Sequence, residues 1–329
     1  MKREKPLWYK ELGAFAKANK KIAIWQIVNT FIPYLILWAF AIYTIKKGYS
    51  YWLTLPIIIL AAGLLIRIFI FFHDCCHGSF FKSQQANRVL GYVSGILTFT
   101  PYDSWRQSHA THHATSGNLD KRGVGDVWTM TLREYKEASS WKRFVYRVFR
   151  HPFVLFLIGP VAIFLISERF SHKNASKAER RSIVITNIAI LLIIIVFSYF
   201  FGFMTYLKIQ LPVIILAGAM GIWLFYVQHQ YENVYWARNS EWDPLKSAIE
   251  GSSFYKLPAI LNWFTGNIGY HHIHHLRANI PNYNLPKCYA SIQALQKVKP
   301  LTFASSLKSI NLRLYDEDLG KMVSIKAIH

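Results

Sequence analysis

The chain has 329 residues, with 38 Lys and Arg against 17 Asp and Glu, a net charge of +21 and a pI near 9.8. Yet 53% of its residues are apolar, 16% are aromatic, and the mean hydropathy is +0.18. Hydrophobicity on this scale excludes a disordered basic tail, and the long apolar runs argue against a nucleic-acid binder. Three cysteines (Cys75, Cys76 and Cys288) are too few for a disulfide framework, so the polar parts are expected to face a reducing compartment.

Residues 1–21 carry Lys2, Arg3, Lys5, Lys10, Lys17, Lys20 and Lys21, with no small-residue cleavage site, so no signal peptide is expected. Four apolar stretches follow, at 22–45, 51–72, 183–203 and 211–227. Each approaches the ~20 residues needed to cross a hydrocarbon core of ~30 Å. Connector 46–50 holds Lys46 and Lys47 as its charges, and connector 204–210 holds Lys208. Nearly all other Lys and Arg fall in 1–21, 73–182 and 228–329, which the positive-inside rule assigns to the cytoplasm together with both termini. Arg67, near the inner end of the second span, is expected to snorkel to that face.

The expected fold is therefore an all-α integral membrane protein of the cell membrane, one domain over 1–329. Four transmembrane helices form two hairpins beneath a cytosolic helical cap built from 73–182 and 228–329. Three shorter stretches belong near the surface. Residues 89–100 are too short to span and read as a shallow or re-entrant piece. Trp141, Phe144, Val145, Val148 and Phe149 alternate with Lys142, Arg143, Arg147 and Arg150, the pattern of a basic amphipathic helix on a membrane. Residues 152–167 are apolar but contain Gly159 and Pro160, and read as interfacial.

The histidines carry the chemistry. Thirteen are present, and nine fall in a pattern. His73 and His77 are four apart at the end of the second span. His109, His112 and His113 form an H-x-x-H-H set, and His271, His274 and His275 repeat it. On a helix, residues three and four apart share a face. His229 stands alone after the fourth span, and His272 lies inside the third set without the ligand spacing. Neutral imidazole is the commonest metal ligand near neutral pH. Nine exceed what one ion uses, so two metals are expected. The donor type excludes calcium or magnesium, and the cysteine count argues against iron–sulfur; among iron, zinc and copper, imidazole alone does not choose.

These three boxes, H-x3-H, H-x2-H-H and H-x2-H-H, resemble those of the membrane fatty acid desaturase and hydroxylase superfamily. The likeness includes the span pattern, residues 118–123 (NLDKRG) and residues 265–270 (TGNIGY). The surrounding sequence is most similar to bacillus-type acyl-lipid desaturases, which place a cis double bond, typically Δ5, in phospholipid acyl chains. The resemblance implies a di-iron centre held by His73, His77, His109, His112, His113, His229, His271, His274 and His275, with O₂ as co-substrate. In the animal acyl-CoA branch an Asn one turn before the lone His reaches an iron through water. Phe225 stands there in this chain, and Asn267, one turn before His271, is the candidate substitute.

Removing hydrogen from an unactivated methylene requires an oxidant that no side chain supplies, so a metal cofactor must provide it. Carboxylates commonly orient ligating imidazoles, and Asp74, Asp126 and Glu232 are the candidates. Cys75 and Cys76 are read as packing residues, and Arg106, before the second box, as a partner for lipid phosphate or a topology signal. No cytochrome b5 motif and no dinucleotide fingerprint occurs. The basic face suits an external acidic one-electron donor, and the resemblance implies ferredoxin or flavodoxin. Two alternatives carry different expectations. A hydroxylase on the same core would yield an alcohol. A histidine-rich metal transporter would need ionisable groups deep inside the spans, which are nearly free of charge.

Overall fold

The computed structural model describes residues 5–328; Lys2, Arg3 and His329 lie outside them. In chain order the main helices are α1 (Lys20–Lys46), α2 (Tyr51–Cys76), α3 (Gln84–Leu97), α4 (Tyr102–Thr115), α5 (Ser140–Phe149), α6 (Lys177–Phe201), α7 (Phe203–His229) and α8 (His271–Leu276). Four of them, α1, α2, α6 and α7, are long and apolar enough to cross a membrane.

Local chemistry sets their ends. The Asn19 side chain accepts from the backbone N–H groups of Lys21 and Ile22 at 3.0 and 3.2 Å, capping α1. Ser176 and Glu179 form a reciprocal capping box that starts α6. Gly202, at φ +87°, is the whole turn between α6 and α7. The sequence suggested a connector at 204–210. Those residues are instead the first turns of α7, with Thr205, Tyr206, Ile209 and Gln210 buried, because one glycine in a left-handed conformation suffices to reverse the chain.

Helix α2 is the axis of the bundle. It is buried along most of its length, at Ile58, Ala61, Ala62, Leu65 and Ile68 among others, and packs against α1, α3 and α7. Small residues allow the close approaches. A Cβ at Gly91 of α3 would lie 2.2 Å from the buried ring of Tyr102, whose hydroxyl donates to the Cys75 carbonyl at 2.9 Å. The Tyr102 ring cannot yield without losing that bond. Gly91→Ala is therefore expected to destabilise the fold by about 1–3 kcal/mol, read as a lower thermal midpoint of the purified protein.

Arg67 does not snorkel. It is 3% exposed, its Nε donates to the Thr30 hydroxyl at 3.0 Å, and its guanidinium bonds the Trp263 carbonyl and lies 4.2 Å from the Trp263 ring. Acceptors from two other segments hold the charge inside, so it has no need to reach water. Helix α3 keeps Val89 and Val93 exposed. Helix α5 exposes Trp141, Phe144, Val145 and Val148. Inward from it lie Tyr146 and, at its C-cap, Arg150, both essentially inaccessible, so Arg150 does not belong to the basic outer face.

Residues 152–167 pack along α7 instead of continuing α5. They form wide helical turns at Val154–Ile158 and Val161–Ile166, bent 61° from α5. Phe156 packs on Trp223 and Tyr226, and Pro160 and Phe164 fit against Gly218, further from His229 along α7. The chain then returns. Arg169 donates to Asn187 at 2.9 Å, and His172 lies 3.1 Å from Glu179 in the first turn of α6. The segment dips beside α7 and emerges at the end where it entered. Gly218 creates the slot, a feature that composition alone does not reveal.

Short strands complete the cap: β1 (Met130–Thr131), β2 (Phe254–Lys256), β3 (Pro300–Thr302), β4 (Leu312–Asp316) and β5 (Lys321–Ser324). The β4–β5 hairpin pairs in parallel with β1, and β2 pairs with β3. Leu314 and Met130 meet Tyr146 there, tying the C-terminal segment to α5.

Candidate metal centre

The site forms where α2, α4, α7 and α8 end or meet. Helical continuation of α2 places His73 and His77 on one face, and α4 and α8 each present three imidazoles at i, i+3 and i+4. His229 is the last residue of α7. These side chains gather into two adjacent groups. In the first, one ring nitrogen each from His73, His77, His109, His113 and His274 lie within 4.8 Å of one another. In the second, the same holds for His112, His229 and His275. His271 joins the second group, with its Nε2 2.9 Å from that of His229 and 3.1 Å from that of His275. The groups touch: the His113 and His275 rings stack at 4.2 Å. All nine histidines of the sequence pattern are therefore brought together.

The ring protons are placed as a bound cation requires. The His229 Nδ1 lies 3.0 Å from the Gly251 carbonyl, which can only accept, so Nδ1 carries the hydrogen and Nε2 is a bare lone pair. His112 Nδ1 faces the Asp126 carboxylate at 2.7 Å and is oriented the same way. The two Nε2 atoms are nevertheless 3.2 Å apart, and His229 Nε2 is closer still to that of His271, at 2.9 Å. A proton can bridge one such pair but not the whole chain of contacts. Lone pairs converging in a buried place fit a shared positive ion.

Donors bonded at ~2.1 Å to one ion lie ~3.0–3.4 Å apart, for angles from 90° to tetrahedral. The neighbouring Nε2 pairs here are separated by 2.9–3.2 Å, spacings that suit donors shared by a transition-metal ion. Burial and the neighbouring imidazoles push His109, His113, His271, His274 and His275 well below the ordinary histidine range. They are neutral at pH 7, as ligands must be.

The supporting groups differ in part from the sequence candidates. Asp126 contacts His112 directly and also accepts from the Gly123 N–H at 3.3 Å. Asp74 lies 3.5 Å from His73 Nδ1, but its Oδ2 accepts from the Asn282 backbone and side chain at 2.7 and 3.0 Å. It braces the first box against the segment after the third. Glu232 is exposed and bonds no imidazole; the Gly251 carbonyl occupies the position beside His229. Asn267 turns its side chain to the Asn282 carbonyl at 3.3 Å. His272 is fully buried against Phe254 and Tyr289, apart from both groups.

Two aromatics wall the centre. Trp105 stacks on His109 at 4.2 Å, and Phe225 packs 5.2 Å from both His112 and His229. Trp105 precedes His109 by one helical turn, a spacing that sequence could have used. Gly251 and Asn282 carry no such signal. Asp126→Asn keeps the volume but weakens the hold on His112 Nδ1–H, and is expected to lower metal retention about 10–100-fold, measured by chelator competition on purified protein.

A helical chain with four membrane-crossing candidates and a buried double cluster of imidazoles at their ends is a membrane-embedded metalloprotein class. Comparison with known proteins identifies which. The profile of the fatty acid desaturase family matches residues 50–305. A "Fatty acid desaturase" of Bacillus subtilis (strain 168) is 46% identical over 319 residues, covering 97% of this chain and 90% of its own length. An "sn-1 acyl-lipid omega-3 desaturase (ferredoxin)" of Synechocystis is 28% identical over 79% of this chain and 71% of its own. An "sn-1 oleoyl-lipid 12-desaturase" of Picosynechococcus is 26% identical over 74% and 70%. The chain belongs to the fatty acid desaturase family and is an oxidoreductase of that family.

Proposed function

We propose that the protein introduces a cis double bond, at Δ5, into acyl chains of membrane phospholipids. It uses O₂ and two iron ions held by His73, His77, His109, His113 and His274 on one side and His112, His229, His271 and His275 on the other. The convergence of these nitrogens, with lone pairs facing one another, is the observation that carries the reading. Bound irons would supply O₂ activation and removal of one hydrogen from each of two adjacent methylenes, with two external electrons and two protons completing the formation of water. The chain's own part is positional. Asp126 and the Gly251 carbonyl fix ring tautomers, Asp74 braces the first box, and Trp105 and Phe225 pack against the imidazoles.

The active site and both termini face the cytoplasm in this proposal, as the distribution of Lys and Arg supports. Electrons come from ferredoxin or flavodoxin, since a basic face favours an acidic donor; the name of the Synechocystis relative includes ferredoxin. Desaturation is preferred to hydroxylation because the relatives are named desaturases. Expression in a host lacking unsaturated lipids, followed by mass spectrometry of its fatty acids, tests the reaction type and the bond position together. The expected product is a Δ5 cis monoene with no retained oxygen. A hydroxylated chain would move the protein to the other chemistry, and a bond elsewhere would refute the position.

A further inference from the structure

Away from the imidazoles, α3 and α6 form a groove of about 370 Å³, lined by Arg88, Tyr92, Ile96, Arg181 and Ile185. Its lining follows from helical spacing. Arg88, Tyr92 and Ile96 recur every four residues along α3, and Arg181 and Ile185 do so along α6. Both stripes run from a cation to an isoleucine. The groove therefore has two cationic residues and two aliphatic ones, contributed in pairs by the facing helices.

The charges are not matched within the protein. Asp103 is the carboxylate beside the groove. It accepts from Arg88 at 3.0 and 3.3 Å and from the Tyr92 hydroxyl at 2.8 Å. Arg181 is exposed and makes no ion pair among the described residues. One net positive charge remains. Val89 and Val93, also on α3, expose apolar side chains. A soluble anion would gain nothing from the isoleucines, and a neutral lipid nothing from the arginines.

We infer that this groove seats a phospholipid, its phosphate between Arg88 and Arg181 and an acyl chain along Ile96 and Ile185. Its chemistry favours an anionic headgroup, because a choline would set a third cation beside the two guanidiniums. Arginine suits a phosphodiester by its forked donors. The groove adjoins the metal-bearing helix. The Ser104 N–H of α4 donates to the Ser182 hydroxyl at 3.3 Å, and Tyr92 packs on Tyr102 at 5.3 Å. The inference concerns lipid binding and is independent of the proposed reaction.

Native mass spectrometry of the full-length protein in detergent, titrated with phosphatidylglycerol, tests it. Arg181→Gln is expected to lower retained lipid about tenfold, the loss of a charge-assisted hydrogen bond, while Arg181→Lys retains part of it. Ile185→Asn, at the aliphatic end, is expected to weaken retention as well. Diacylglycerol, lacking phosphate, is expected not to be retained. Three results would overturn the inference: wild-type retention by Arg181→Gln, an equal loss in Lys142→Gln on α5 (diffuse surface charge), or displacement of the lipid by inorganic phosphate (a free-anion site).

Discussion

Replacing His112 by alanine is expected to abolish product while leaving the protein in the membrane. The ring lies in the second imidazole group, against His229, and Asp126 holds its other nitrogen. Weakening a supporting contact in a metal site costs about 10–100-fold, so removing the donor itself is expected to exceed about 100-fold. The rest of the fold has little reason to respond. His112 sits near the C-terminal end of α4, and alanine is a good helix former. Lipid analysis of expressing cells, beside a membrane-fraction immunoblot, separates lost chemistry from lost protein. Wild-type product from His112→Ala would remove that residue from the ligand set.

The second large effect concerns stability. Arg150 is 2% exposed, yet no carboxylate pairs with it among the described residues. It donates instead to the Leu312 carbonyl at 2.9 Å, to the Tyr226 hydroxyl and Gln230 Oε1 at 3.1 Å each, to Thr129 Oγ1 at 3.3 Å and to the Trp128 carbonyl at 3.4 Å. These acceptors come from the β1 region, the end of α7 and β4. One side chain thereby joins three separate parts of the cap, and Tyr226 and Gln230 flank His229. Arg150→Ala leaves a cavity and removes the five hydrogen bonds that join these segments, a loss of about 3 kcal/mol or more. Arg150→Lys is expected to rescue little, because one ammonium cannot reproduce a planar fork. Thermal unfolding of the purified variants checks both, and unchanged midpoints would contradict the role.

What sequence could reveal follows the range of its signals. The box histidines were legible because i, i+3 and i+4 spacing survives translation into a helix unchanged. The four long helices were legible because apolar length is a local property. Contacts made across the chain were not. His229 finds the Gly251 carbonyl, a backbone atom with no residue preference, and so Glu232 was the wrong place to look for its partner. Asp74 meets Asn282 across 208 positions. Arg150 read as one more outward cation, since charge predicts exposure until a set of carbonyls is seen to surround it. The bent segment 152–167 needed Gly218 on another helix to explain where it fits.

The most direct test is the metal content of purified protein, by elemental analysis, in the wild type and in the double variant His112→Ala/His229→Ala. Two separate imidazole groups require about two transition-metal ions per chain in the wild type and about one in the double variant, whose first group is intact. One ion or none in the wild type, or two retained by the double variant, would contradict a centre built from two groups.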